Sequence, residues 1–380
     1  MDVRITDLAF NPQQETAAFA AGRAEMGAIV SFVGQCRDRH DGHVVEELLL
    51  EQYPGFTEKE VRRICGEIAQ RFGCIHFGRK SLLTACFNAI FLVMAIWFAA
   101  DARATPISFS DLLARPRPSP TKVIPYGPAR EQHAELWSPA GLGPHKVVIM
   151  IHGGCWLGSL PGTELMAYAS EDLRRRGIAV WNIEYRRIGG TGGGYPGTFE
   201  DVGHVIDHLR AIAPTENLDL GHVVAVGHSA GGHLALWAAA RARLPRQDRL
   251  FTAHALPIKG VISLAGIADL AAYRAHGPAA CGGPGTIDRL VGADGRTGEN
   301  LYANTSPAAL LPLGVRQVIV SGALDPIVPM RFGEAYAAQA KGAGDKVQIL
   351  NIAAAGHFEL IDPTAEAWHQ IEPAIEELLR

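Results

Sequence analysis

The stretch Val223–Trp237, VVAVGHSAGGHLALW, decides how the rest of the chain is read. It opens on apolar, largely β-branched residues, the pattern of a strand covered on both faces. Gly227-His228-Ser229-Ala230-Gly231 follows, and then an apolar helical run from His233 to Ala240. This is G-x-S-x-G set between a strand and a helix. Such a turn is strained and leaves no room for bulk two residues to either side of the serine, so glycine is needed at 227 and 231. The turn would lift Ser229 Oγ above the sheet edge, within reach of a substrate carbonyl. The bare pentapeptide is common by chance, and its strand–turn–helix setting is what makes it specific.

A serine hydroxyl is a weak nucleophile until a base takes its proton, so an acid and then a histidine are expected further along the chain. In VIVSGALDPIVP (318–329), Asp325 stands just past a strand. In ILNIAAAGHFELID (349–362), His357 follows the next strand. Glu359 lies after the histidine and is the poorer choice of acid. The predicted triad is therefore Ser229, Asp325 and His357. The tetrahedral intermediate also needs backbone N–H donors. VVIMIHGGCWLGS (147–159) ends a strand on a glycine pair, which predicts amides of Gly153, Gly154 and Cys155 acting with that of Ala230. His152 reads as a brace for this loop. Trp156, Tyr195 and His228 are candidate substrate contacts, with core packing the competing reading for Trp156.

Outward from these motifs, short apolar strands alternate with helical patterns from about 123 to 380. The strands read as Val147–His152, Ile178–Tyr185, Val223–Gly227, Gly260–Leu264, Gln317–Ser321 and Val347–Ile352. That alternation predicts a mostly parallel sheet flanked by helices.

HGGCW (152–156), NIEYRR (182–187), GHSAGGHLALW and AGHFELID together resemble the α/β-hydrolase fold. Within it they look like the small esterases related to kynurenine formamidase. The resemblance implies a serine hydrolase acting on a small ester or amide through an acyl-enzyme, with no metal and no organic cofactor. The region 268–313 is rich in Gly, Ala and Pro, and in the α/β-hydrolase fold, which these motifs resemble, a cap is often inserted at this place.

Three further patterns carry less weight. GGTGGGYPG (189–197) contains G-x-G-x-x-G with Asp219 downstream, but Pro196 interrupts the turn that should offer amides to phosphate. It reads instead as a loop beside the active site. His204 and His208, four apart on a helix, lack the glutamate of H-E-x-x-H and read as a solvated face. His40 and His43 fall in a charged loop. A net charge of -4 provides no basic field for nucleic acid. The six cysteines show no C-x-x-C spacing, so neither a zinc site nor a disulfide framework is expected. Cys155 and Cys281 could pair if this part is exported, and otherwise read as free and buried.

The first 78 residues read as a partial α+β domain. GAIVSFVGQCRD (27–38), LLLEQYPGFTEKEV (48–61) and the helix that continues to Gly73 resemble the first half of the large, catalytic subunit of molybdopterin synthase. Arg37 could correspond to a substrate-binding arginine of that family. The family's second half, with its His-Arg pair and its lysines, has no match here, so sulfur transfer by this segment is the lesser expectation. Between the two parts, residues 79–104 follow the grammar of a secretory signal peptide: Arg79 and Lys80, an uncharged run from 82 to 100, then Asp-Ala-Arg-Ala. The run would be either cleaved after Ala104 or retained as a short membrane anchor. The hydrolase would then be exported, periplasmic or anchored, and cytoplasmic if the leader goes unused. RPRPSPTK (115–122) places a linker over 105–122.

Overall fold

A computed structural model describes residues 106–380, together with the backbone of one short antiparallel pair, Arg39–His40 with His43–Val44. The expectations for the remainder of 1–78, Arg37 included, and for the apolar segment 79–104 lie outside the described residues. The chain divides into two compact units, Met1–Ala100 and Asp101–Arg380. Among the described residues no helix is long and apolar enough to cross a membrane.

The second unit is built on one eight-stranded sheet: β1 (Lys122–Pro125), β2 (His133–Trp137), β3 (His145–Ile151), β4 (Ala179–Ile183), β5 (Leu218–His228), β6 (Gly260–Leu264), β7 (Arg316–Gly322) and β8 (Val347–Ile352). Their spatial order is β8-β7-β6-β5-β3-β4-β2-β1. The β1/β2 and β2/β4 pairs are antiparallel and the others parallel. The six expected strands are the six parallel ones, each within a few residues of its expected bounds. Strands β4 and β6 are buried along their whole length, as a sheet covered on both faces requires.

The helices are α1 (Phe109–Leu113), α2 (Ala167–Arg175), α3 (Gly197–Glu216), α4 (Ala230–Ala240), α5 (Leu270–His276), α6 (Pro284–Val291), α7 (Arg331–Gly342) and α8 (Glu366–Leu378). Helix α4 is apolar on every side because β5, β6 and the cap surround it, and nearly all of its residues are buried. The region 268–313 does form an insertion between β6 and β7, carrying α5, α6 and short 3-10 turns.

The linker expected at 105–122 needs correction. Residues 106–115 pack on the unit. Helix α1 is capped by Ser108 and Asp111, each bonding the other's backbone, and it buries Leu112 completely. Burial of one leucine is worth about 2 kcal/mol, enough to hold so short a helix in place.

Candidate active site

The nucleophile turn has the geometry its glycines demand. Ser229 sits at φ 55° and ψ -119°, left-handed backbone that a residue with a side chain adopts only under constraint. The constraint comes from both sides. Ser229 N donates to Leu264 O at 2.8 Å, and helix α4 is pressed onto the end of β3. A Cβ on Gly231 would lie 2.0 Å from Ile151 O, and one on Gly227 would lie 2.1 Å from Gly231 O. Both contacts are to backbone, so neither glycine can be replaced without opening the turn.

His357 lies against this turn. His228, the residue before Ser229, donates from Nε2 to His357 O at 3.0 Å, and the two rings are 4.4 Å apart. His357 Nδ1 faces Asp325 Oδ2 at 2.6 Å, which leaves Nε2 as the nitrogen able to act as base. The other oxygen, Asp325 Oδ1, accepts from Ile327 N at 2.7 Å and Val328 N at 2.9 Å. All lone pairs of the buried carboxylate that matter for its orientation are therefore engaged. The loops after β7 and β8 are also stitched together, Leu324 N donating to Ala355 O at 2.9 Å.

The glycine loop after β3 meets the same point. A Cβ on Gly153 would come within 3.0 Å of Ser229 Cβ. Among the described residues no acceptor engages the amides of Gly153, Gly154 or Cys155. The hydrogen bonds of helix α4 to its cap begin with Gly232 N and His233 N, both to Ser229 O, so the amide of Ala230 is also outside the ladder. These N–H groups, free of other partners among the described residues and flanking Ser229 in the chain or against its Cβ, are the candidates for the oxyanion role.

The glycine loop is itself held from behind. His152 Nε2 faces Glu184 Oε1 at 2.8 Å, its ring stacks on Tyr185 at 4.5 Å, and Tyr185 OH donates to His152 O. Burial works to raise the Glu184 carboxyl, but the His152 ring and the Arg187 guanidinium outweigh it and leave it lowered to about 2. Arg187 donates to Leu160 O at 2.6 Å, closing the loop's far end. His152 is thus the brace expected, with Glu184 as its partner.

Two of the three expected substrate contacts, Trp156 and His228, are corrected because both are enclosed. Trp156 is fully buried and donates from Nε1 to His233 Nδ1 at 3.2 Å, while His233 Nε2 donates to Thr305 O at 2.7 Å. Burial lowers His233 to about 4, so the ring stays neutral and keeps this tautomer. Trp156 therefore belongs to the core and ties the glycine loop to the cap. Tyr195 is half-buried under Arg296, whose guanidinium lies 4.0 Å from the ring centre, and it packs against the cap. The loop of Tyr195 is fastened by Thr198, which accepts from Gly194 N and donates to Arg186 O. His228 is fully enclosed beneath His357, and burial pushes its pKa well below the usual histidine value.

The cysteine expectation is likewise revised. Cys155 and Cys281 form a disulfide that joins the glycine loop to the cap across 126 positions of sequence. Closing a loop of that length is worth about 5 kcal/mol in the unfolded-chain entropy account. Reduction of the full chain under native conditions is expected to lower Tm by roughly 10 °C, read by differential scanning fluorimetry with and without reductant. An unchanged Tm would show that the cap is held without the bridge.

The remaining patterns place as follows. Asp219 lies inside β5 and pairs with His222, remote from any phosphate-binding role. The His204 and His208 ring centres lie 6.5 Å apart on α3, and among the described residues no third His, Cys, Asp or Glu joins them in a metal-holding group. His40 and His43 pair across the short strand pair.

Comparison with known proteins fits both parts of the chain. Residues 5–79 match the MoaE protein family. The molybdopterin synthase catalytic subunit of Pseudomonas aeruginosa is 44% identical over 72 residues, 19% of this chain and 48% of that protein. Its counterpart in Rhizobium meliloti is 41% identical over 83 residues, 20% of this chain and 52% of that protein. The chain spans about half the length of these curated relatives. Among solved structures, esterase B from Lactobacillus rhamnosus is 18% identical with a TM-score of 0.60, covering 77% of this chain and 95% of that one. A truncated carbohydrate esterase from gut microbiota is 20% identical with a TM-score of 0.56, covering 69% and 96%. At these identities the likeness establishes the α/β-hydrolase fold. Residues 136–339, more than half of the chain and including the nucleophile turn, the glycine loop and Asp325, match the BD-FAE family, and the chain belongs to that family of esterase domains.

Proposed function

We propose that this protein is a serine esterase in which Ser229 is acylated and then freed by water. The observation that carries this reading is the convergence on one strained turn of Ser229, the Asp325–His357 pair and unengaged amides of the glycine loop. His357 Nε2 takes the hydroxyl proton as Oγ attacks the ester carbonyl, and the imidazolium is stabilised by Asp325. The negative oxygen of the tetrahedral intermediate is received by amides of Gly153–Cys155 and Ala230. The proton then passes to the departing alcohol, and a water activated by His357 releases the acid. The substrate class is a small carboxylic ester. N-formyl anilides, as a formamidase would take, are the amide version of the same chemistry.

The reading is tested with short p-nitrophenyl esters and a fluorophosphonate probe. Turnover and covalent labelling of the peptide containing Ser229 are expected. Labelling confined to another residue would overturn it. The Cys155–Cys281 bridge supports action in an oxidising compartment, reached through the leader-like segment or with that segment retained at a membrane.

A second reading, favoured by the match at 5–79, is sulfur transfer to a molybdopterin precursor by the N-terminal part. It requires docking of a small sulfur-carrier protein. We expect no measurable binding of such a carrier to the full chain by calorimetry, and micromolar binding would revive that reading.

A further inference from the structure

We propose that Glu359 is a positioning residue for His357, and that residues 106–115 act with it as a strap holding the histidine loop. The inference rests on the serine esterase reading. Glu359 stands two positions beyond His357 and divides its carboxylate between two backbone amides. Oε1 accepts from Ile107 N at 2.6 Å, and Oε2 accepts from Gly356 N at 3.0 Å. One side chain thereby ties the residue preceding His357 to a segment 252 positions earlier in the chain.

The strap reaches both neighbours of His357. On one side Pro106 lies against Gly356, where a Cβ would stand 2.5 Å from Pro106 Cβ. On the other, Phe109 meets Phe358 edge-on with ring centres 6.0 Å apart. Beyond the loop, Arg115 pairs with Asp362 at 2.7 Å and donates to Thr364 at 3.0 Å, and Tyr168 OH donates to Arg115 O. Between these two ends the strap is anchored by buried Leu112.

A carboxylate suits this post for a stated reason. Two N–H donors converge on the Glu359 side chain, and each finds an oxygen. A glutamine would satisfy one and turn an NH2 donor against the other. Glu359 is not needed as the acid of the triad, because Asp325 already holds Nδ1 of His357. Its work is to keep the backbone on the Gly356 side from drifting, while the Asp325 and His228 contacts hold the ring and the carbonyl. Displacing a reacting group by about 1 Å is enough to cost about 100-fold in rate.

The test uses the full chain as wild type, Glu359→Gln and Phe109→Ala, the last removing one strap contact from a partly exposed site. With p-nitrophenyl acetate, Glu359→Gln is expected to lower kcat by about 10- to 100-fold with KM within about twofold. The fluorophosphonate labelling rate should fall in step. Hydrogen exchange in peptides covering 353–361 should rise while the rest of the unit is unchanged. Phe109→Ala should move all three readouts the same way and less far, which keeps the test usable if Glu359→Gln fails to fold. Wild-type kcat in Glu359→Gln, or a loss appearing in KM alone, would overturn the positioning role while leaving the esterase reading intact. Absence of turnover and labelling in the wild type would instead remove the esterase reading, and this inference with it.

Discussion

Replacement of Ser229 by alanine is expected to lower kcat for a p-nitrophenyl ester by about 10⁶-fold, with the folded structure retained. Gly153 packs against Ser229 Cβ and the preceding His228 is bonded to the His357 backbone, so the substitution removes the proposed nucleophile from beside its proposed base. The main chain at 229 is held by its bond to Leu264 O and by the glycine contacts of α4, none of which uses the side chain. Alanine at φ 55° bears the same backbone strain as serine, so Tm should stay within a few degrees. Steady-state kinetics and a melting curve on the same preparation check both statements. A residual rate within tenfold of wild type would move the nucleophile elsewhere.

The second large effect is expected at Asp325. Substitution by asparagine should cost about 10⁴-fold in kcat, and the direction follows from where its hydrogen bonds lie. Ile327 N and Val328 N both donate to Oδ1, so the amide oxygen of asparagine must stay on that side. The NH2 group then faces His357 Nδ1 where Oδ2 accepted before. To receive that donor, Nδ1 must shed its proton and Nε2 must carry one. An Nε2 that already holds a proton cannot accept another from Ser229. The variant should fold, label slowly with fluorophosphonate and show a kcat loss far exceeding any change in KM. Near-normal turnover would mean that Asp325 does not orient the base.

These two residues were legible because their chemistry dictates their surroundings. A nucleophile turn needs glycines at fixed offsets, and its partners must stand just past later strands, so Ser229, Asp325 and His357 could be picked out by order alone. The glycine loop was legible for the same reason. The antiparallel edge was not: β1 is four residues long, largely exposed and ends on Pro125, and β2 alternates over only five residues, too short a run to stand out from loop. The Pro-rich stretch after Arg115 masked the docking of α1, because proline density indicates extended chain and says nothing about what that chain packs on.

Side-chain roles divided in a similar way. In sequence Trp156 stands next to the glycine loop, Tyr195 in a glycine-rich loop and His228 in the serine turn, and these positions suggested substrate contact. Folding turned the first toward His233, the second toward Arg296 and the third beneath His357. The Cys155–Cys281 bridge depends on bringing together positions 126 apart, which cysteine spacing does not encode. Glu359 drew attention only as a second-best acid, since its partners Ile107 and Gly356 are backbone amides that any residue could supply.

By itself, then, the sequence of this chain determined the parallel α/β sheet, the serine turn, the pairing of Asp325 with His357 just past two strands, and the MoaE-like opening, because each is written in residue types at required spacings. Tertiary structure decided which partners hold the braces, Glu184 for His152 and Ile107 for Glu359, and that Trp156 and His228 are enclosed. Those roles depend on contacts between segments far apart in the chain, where the identity of a residue is a weaker constraint than the direction in which the fold points it.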